Sequence, residues 1–346
     1  MRAGWCAVGA AVAGLALLVA DARAVRVDPA AAPPAVAASV IATAPTCPGQ
    51  DVPPGPPARE ETVGVAALPW PAEPIGGPAL GGCGDIGPAG VPVVGASAYV
   101  LAELDSGTVL AARAPHARHR PASTLKVLLA LVAARTLDPD DVLEGTAEEL
   151  RIDGSKAGIG PGGRYTVRQL MAGLLLNSGN DAAQVLARAM GGTMATVAAM
   201  SDTAARLGAH DTRAATPSGL DGPGMAMSAY DLAVLFRDAL REPLVAETIG
   251  LRTVPFPGYG DHPGFTLSTT ERLLQRYPGA LGSKAGFTDA ARHTLVGFAE
   301  RGGRRLVVTL MRGEQHPVAM WQQAAALLDW GFAQPPQPGI GRLVDP

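Results

Sequence analysis

The sequence predicts an α+β protein: an antiparallel sheet flanked by helices, with an all-helical sub-domain inserted between its first and last strands. Three observations carry that expectation. Two pairs of strand-like runs, each joined by a Gly-containing turn, lie near opposite ends of residues 91–333. Between them, from about 137 to 245, apolar residues recur at helical spacing. Strands at both ends with helices between them argue for helices packed on an antiparallel sheet rather than alternating along a parallel one.

Taken in order, the chain opens with MRAGWCAVGAAVAGLALLVADARA. One Arg precedes an apolar run from Ala3 to Ala20, and Ala22-Arg23-Ala24 has the small-x-small form of a cleavage site. Residues 1–24 therefore read as a secretory signal peptide, which places the protein outside the cytoplasm. Left uncleaved, about 18 apolar residues would make a marginal membrane anchor, and only then is membrane association expected. Residues 25–90 are rich in Pro, Gly and Ala, lack sustained periodicity, and read as a partly disordered leader. Cys6 lies inside the signal segment, so Cys47 and Cys83 remain, and a secreted context permits one disulfide between them.

From residue 95 the texture changes. Ala96 to Glu103 and Thr108 to Ala114 flank Asp105-Ser106-Gly107 and predict a hairpin. Pro121 then opens a helix over Ala122 to Ala134 that is apolar nearly all round, hence buried. Tyr165-Thr166-Val167 leads into the helical RQLMAGLLL, followed by amphipathic stretches at Asp181–Met190, Met194–Leu207 and Ser228–Leu240, each preceded by a residue able to cap it. The GIGPGG run at 158–163 is a loop without the G-K-[ST] of a phosphate loop. Gly282 to Thr288 is a short strand. Ala291 to Glu300 and Arg304 to Met311 flank Arg301-Gly302-Gly303 as a second hairpin, Ala319 to Phe332 closes the domain as an amphipathic helix, and 334–346 is a tail.

Composition narrows the function classes. The chain has 346 residues, a net charge of −3 and a pI near 6.1, so nothing points to nucleic acid. No C-x-x-C or H-E-x-x-H occurs, and no metal or cofactor is implied. His116 and His119, three apart in a charged loop, read as a solvated pair.

The basic residues are more informative. Of 28, only Lys126, Lys156 and Lys284 are Lys. Lys126 stands at the head of an apolar run, PASTLKVLLALVAA, three residues after Ser123. On a helix residues three apart share a face. A Ser hydroxyl becomes a good nucleophile when a neighbour takes its proton; Arg cannot do that, whereas a Lys whose pKa is lowered can. A cation at a helix start is also disfavoured by the helix dipole, so an ordinary surface Lys fits poorly. Farther on, Asn177-Ser178-Gly179-Asn180 breaks two helices and presents polar side chains. Lys284 opens a strand in which Lys284 and Gly286 face one side and Ala285 the other, a cation beside bare backbone.

Ser-x-x-Lys, then Ser-x-Asn, then Lys-x-Gly, in that order, is the signature of penicillin-binding proteins and serine β-lactamases. From about Ala96 to Phe332 the chain resembles the D-alanyl-D-alanine carboxypeptidases, the low-molecular-mass penicillin-binding proteins. PASTLK, YTVRQLMAGLLLNSGNDAA, PSGLDGPGMAMSAYDLA, KAGFTDAARHTLVGFA and LLDWGF all carry the likeness. The resemblance implies a β-lactamase/penicillin-binding transpeptidase-like fold. It implies a peptidoglycan stem peptide as substrate and β-lactams as inhibitors. It assigns Ser123, Lys126 and Ser178 to catalysis and Asn180, Lys284, Gly286, Phe287 and Thr288 to substrate binding. Arg312 is a candidate for the downstream Arg with which some relatives bind the substrate carboxylate. The chain departs from the family in having Lys-Ala-Gly where Lys-Thr-Gly is usual. Ser155-Lys156-Ala157-Gly158 repeats the tetrapeptide at 283–286, but it precedes Ser178 and runs into a Gly-Pro loop, so Lys156 reads as a loop residue. Two alternatives stand beside this reading. A class A β-lactamase would carry an E-x-x-L-N loop after the Ser-x-Asn element, which is missing here. A catalytically silent wall-binding or β-lactam-sensing domain would bind without releasing D-Ala.

Overall fold

The computed structural model describes residues 64–335 and 338–345. The expected signal peptide over 1–24, most of the leader and Cys47 lie outside them. Cys83 is disulfide-bonded.

In chain order, β1 (Asp85–Ile86), β2 (Ala98–Glu103) and β3 (Thr108–Arg113) are followed by a 3₁₀ turn over Ala122–Leu125 that runs directly into α1 (Lys126–Thr136). Next come β4 (Val142–Glu144), α2 (Ala147–Leu150), β5 (Arg164–Thr166), α3 (Val167–Leu176), α4 (Asn180–Ala189), α5 (Thr193–Arg206), α6 (Ala229–Ala239) and α7 (Pro243–Ile249). A small hairpin of β6 (Thr253–Phe256) and β7 (Phe265–Ser268) and the short α8 (Arg272–Arg276) lead into β8 (Ala280–Thr288), β9 (Arg292–Arg301) and β10 (Arg304–Gly313); α9 (Met320–Ala333) and β11 (Gly341–Arg342) finish the described chain.

The main sheet is antiparallel, in the order β1-β3-β2-β10-β9-β8, with β11 also pairing β3. The two predicted hairpins meet where β10 pairs β2, from Leu306 opposite Glu103 to Met311 opposite Ala98. Strand alternation sorts the β10 side chains between two cores. Leu306, Val308 and Leu310 pack with Leu327 and Leu328 of α9. Val307 and Met311 face the larger core that holds α1, α3 and α6. Thr309, on that same face, donates its hydroxyl to Ala229 O at the start of α6 at 2.8 Å. Helix α1 is buried from Lys126 to Ala133, as an all-round apolar sequence requires.

Helix starts follow their caps. Thr166 Oγ1 accepts the N–H of Gln169 while Gln169 Oε1 accepts that of Thr166, a capping box that opens α3. Ser228 caps α6 by accepting the Asp231 N–H.

Four expectations are corrected. The insert is not all-helical: β4 and β5 form a hairpin inside it and β6 and β7 another just beyond it. Strands of three or four residues are too short to leave a period-2 pattern. The described part of the leader is docked on the domain rather than disordered. Arg118 donates to Leu68 O at 2.6 Å and Pro69 O at 2.8 Å, its guanidinium lies 3.6 Å from the Trp70 ring centroid, and β1 extends the sheet. The tail also joins the fold, since β11 pairs β3 and Arg342 O accepts the Tyr230 hydroxyl. His116 and His119 are buried, not solvated. His116 Nδ1 lies 2.8 Å from Asp211 Oδ2, and Asp211 Oδ1 accepts Arg118 Nε, so a distant carboxylate answers two charges of the loop. No described helix is long and apolar enough to cross a membrane.

Candidate active site

The site is assembled around Lys126. Its Nζ is 2.9 Å from Ser123 Oγ, 2.7 Å from Asn180 Oδ1 and 2.6 Å from the main-chain Ser218 O. The side chain is fully buried. Burial holds the amine well below its ordinary value of 10.5, and the positive charge of Lys284 pushes the same way; Asp181 and Glu271 oppose. A neutral amine has two N–H groups and one lone pair. Asn180 Oδ1 and Ser218 O are acceptors only, so they take the two N–H groups. The lone pair is then left facing the Ser123 hydroxyl, which is the geometry of a base about to take a proton.

Ser123 is held on its turn by neighbours that fit closely. Ala122 adopts a φ of 47°, a conformation an L-residue with a Cβ visits at a cost, and it precedes Ser123 on the 3₁₀ turn ahead of α1. Pro121 O accepts the hydroxyls of Thr124 and of Thr294 on β9, which fastens the turn to the sheet. Strand β8 approaches so tightly that a Cβ on Gly286 would stand 2.6 Å from Ser123 N and 2.7 Å from Thr294 Oγ1. Gly219, with φ of 85°, meets the turn from the other side; a Cβ there would lie 1.9 Å from Ala122 O. These contacts explain bare backbone at both positions.

Ser178 and Asn180 sit in the break between α3 and α4. Ser178 is buried with φ of 57°, a second strained residue at the site. Asn180 Nδ2 donates to Asp153 O at 2.7 Å, which fixes the amide so that Oδ1 points at Lys126. Behind it, Asp181 gathers the N–H groups of Ala157, Gly158, Ile159 and Ala182. Its buried carboxylate thereby pins loop 153–159 against the Ser178–Asn180 break. Lys156 is an exposed member of that loop and donates to Leu150 O, as expected of a loop residue.

Lys284 reaches the site from β8 and is 1% exposed. It is paired with Glu271, Nζ to Oε1 at 2.5 Å, and it also donates to Ala285 O. Glu271 Oε2 accepts the Ala285 N–H at 2.8 Å, so one buried carboxylate holds both the cation and the strand. Burial pushes the Glu271 carboxyl up, and the Lys284 charge counters it. Phe287 is half exposed beside His293, with ring centroids 4.5 Å apart. Thr288 Oγ1 donates to Asp221 Oδ1 at 3.1 Å. Arg312 lies at the end of β10 and donates to Ala290 O.

The structure thus brings Ser123, Lys126, Asn180 and Gly286 into direct or near contact, with Lys284 close enough to bear on Lys126. Sequence reasoning missed Ser218, Glu271 and Asp181. Ser218 acts through its carbonyl, which no side-chain pattern reveals. Asp181 directly follows Asn180, a visible position with no visible task. Glu271 precedes its partner by 13 residues across a helix and a turn. Among the described residues, His116, Asp211 and Asp231 form a group compact enough to hold a cation, but the Asp211 carboxylate is already engaged by His116 and Arg118.

Comparison with known proteins fits this geometry. Residues 88–315 match the family model described as D-alanyl-D-alanine carboxypeptidase. The chain is 48% identical over 266 residues to the D-alanyl-D-alanine carboxypeptidase DacB2 of Mycobacterium tuberculosis, covering 75% of this chain and 91% of that protein. It is 30% identical to DacF of Bacillus subtilis, covering 69% of this chain and 62% of the relative. The crystal structure of a D-alanyl-D-alanine carboxypeptidase from M. tuberculosis superposes with a TM-score of 0.71 at 48% identity, covering 75% of this chain and all of that one. The Streptomyces K15 DD-transpeptidase superposes with a TM-score of 0.67 at 26% identity, covering 70% of this chain and 99% of that one.

Proposed function

The chain belongs to the D-alanyl-D-alanine carboxypeptidase family and is a serine hydrolase of that class, and from this premise we propose how its own residues remove the terminal D-Ala of a peptidoglycan stem pentapeptide. Lys126, neutral, accepts the proton of Ser123 as Ser123 Oγ attacks the carbonyl carbon of the penultimate D-Ala. The oxyanion is received by the backbone N–H groups of Ser123 and Phe287. Ser178 relays the proton now on Lys126 to the leaving D-Ala amine as the C–N bond breaks, leaving an ester on Ser123 and a neutral Lys126. Water gives a proton to Lys126 as it attacks that ester, and Lys126 returns the proton to Ser123 Oγ as the C–O bond breaks and the tetrapeptide leaves. Asn180 holds Lys126 in register. Lys284 and Thr288 draw the substrate carboxylate, and the Lys284 charge favours the neutral state of Lys126. β-Lactams acylate Ser123 in place of the peptide.

The observation that carries this reading is the Lys126 amine, with its two N–H groups spent on Asn180 Oδ1 and Ser218 O and the Ser123 hydroxyl on its third side. Residues 91–333 form the catalytic domain in this proposal. Residues 1–24 act as a signal peptide that delivers it outside the cytoplasm, and Cys47 is the partner of Cys83. The test is incubation with a pentapeptide ending in D-Ala-D-Ala, with and without penicillin, followed by mass spectrometry. One D-Ala released per peptide, blocked by a stable adduct on the Ser123 peptide, is expected. Binding without release would instead favour a silent sensor, and rapid turnover of the penicillin a β-lactamase.

A further inference from the structure

Two irregular strips of chain meet at the nucleophile. One, 115–121, runs straight into Ala122 and Ser123. The other, 211–227, carries Ser218, whose carbonyl accepts from Lys126, and Gly219, packed against Ala122 O. The strips are tied at three levels. Arg118 Nε donates to Asp211 Oδ1 at 2.9 Å, and Arg120 Nη1 lies 3.6 Å from Asp221 Oδ1. Between these ties the backbones of His119 and Met227 exchange both hydrogen bonds. Asp211 is a fixed post, because its own N–H donates at 2.7 Å to Asp231 Oδ2 on α6.

The leader lies across this seam. Leu68 O and Pro69 O accept Arg118 Nη1 and Nη2, and the Trp70 ring centroid stands 3.6 Å from the guanidinium. Ile75 O lies 3.0 Å from His116 Nε2. On the second strip, a Cβ at Gly224 would stand 2.8 Å from Val65 Cγ1. The leader therefore touches both strips. With Leu68 to Trp70 wrapped around the guanidinium, the Arg118 and Asp211 side chains are only 4% and 3% exposed. An ion pair open to water yields easily. One closed off from water, with all three Arg nitrogens engaged, resists separation because parting strands a buried charge.

We propose that Arg118 is a positioning residue for acyl transfer to Ser123, and that leader residues 65–75 are the strap that grips it. The proposal rests on the acyl-transfer reading above. Arg118 touches neither Ser123 nor Lys126. It acts through the short run that follows it, in which Pro121 fixes one backbone dihedral and His119 and Arg120 are tied to the second strip. A loosened strap lets that run drift against the loop of Ser218, and the Ser123 hydroxyl then leaves the line of the Lys126 lone pair. Strand β8, where the substrate lies, is untouched, so the loss falls on the acylation step and not on affinity.

The experiment uses the full chain and a fluorescent penicillin. It separates the acylation rate at saturation from the concentration that gives half of it. Trp70→Ala removes the ring beside Arg118 and strands no charge, whereas Trp70→Phe keeps a ring there. Leu327→Ala, in the core on the other face of the sheet, lowers stability without touching the seam. W70A is expected to acylate about tenfold more slowly at saturation, with the half-saturating concentration within about twofold of wild type. W70F should recover most of the rate, and Arg118→Gln should be at least as slow as W70A. L327A should acylate like wild type at temperatures below its melt. A W70A that melts lower yet keeps the wild-type saturating rate would overturn the strap and leave the acyl-transfer reading standing. Slowing of L327A as large as that of W70A, or a W70F as slow as W70A, would do the same. A wild-type chain that never labels would remove both.

Discussion

Replacing Lys126 with Met tests the base assignment with little change of shape. The unbranched Met side chain fits the buried channel, and nothing else on α1 need move. Two acceptors, Asn180 Oδ1 and Ser218 O, lose their donor. Each orphaned acceptor costs about 1–3 kcal/mol, so the stability loss is about 2–6 kcal/mol before relief from burying an amine is counted. A domain of typical stability, about 5–15 kcal/mol, remains folded at 25 °C against most of that range. The effect on rate is larger: loss of a positioned base costs about 10²–10⁴-fold. Lys126→Arg supplies the second arm, because it keeps a donor but cannot give up its proton. The assay is the pseudo-first-order rate of labelling by a fluorescent penicillin, read beside a circular-dichroism melt of the same sample. Both variants are expected to melt above the assay temperature and to label at least a hundredfold more slowly. A folded K126M that labels within fivefold of wild type would refute the assignment.

Three further outcomes follow from the same contacts. Acylation by an uncharged penicillin ester should rise with pH as Lys126 loses its proton and level off well below 10.5; Lys284→Gln removes a charge that lowers the Lys126 pKa and leaves the opposing Glu271, so the rise must move to higher pH, and a downward shift would contradict the stated causes. Gly286→Ala puts a methyl 2.6 Å from Ser123 N and pushes β8 off the nucleophile; labelling should slow about a hundredfold, as a displacement near 1 Å does, and an unchanged rate would mean that β8 does not set the geometry. Glu271→Ala strands a buried Lys284 and the Ala285 N–H, so the variant should lose about 3–5 kcal/mol in urea unfolding; a loss under about 1 kcal/mol would show that the pair is not buried in solution.

What was legible in the sequence is what acts through side chains at fixed local spacing. Ser123 and Lys126 are one turn apart, Ser178 and Asn180 flank one glycine, and Lys284 and Gly286 alternate along one strand, so local geometry set the spacing within each group, while their grouping into one site rested on the family resemblance. The hairpin-helices-hairpin order located the sheet for the same reason: each element carries its own period. Long-range contributions were illegible. Ser218 meets Lys126 through a main-chain carbonyl that accepts from the amine, and Glu271 meets Lys284 only after α8 turns the chain back. The leader between residues 64 and 90 shows no periodicity because its anchors are scattered: main-chain oxygens to Arg118 and His116, the Trp70 ring under Arg118, buried Leu80, and Asp85 paired with Arg113 from a two-residue strand. His116 and His119 misled for a related reason. The partner of His116, Asp211, lies 95 residues away, and His119 is buried with neither ring nitrogen hydrogen-bonded among the described residues.

The chain has only three lysines, which makes the central proposition directly measurable. With lysine ¹³C-labelled at Cε, each amine gives its own resonance, and substitution of Lys156 and Lys284 in turn assigns them. A Lys126 signal that titrates well below 10.5, and changes when penicillin occupies Ser123, is the predicted result. A Lys126 signal that titrates near 10.5 would contradict the account, because the amine would then be an ammonium with no lone pair for the Ser123 proton.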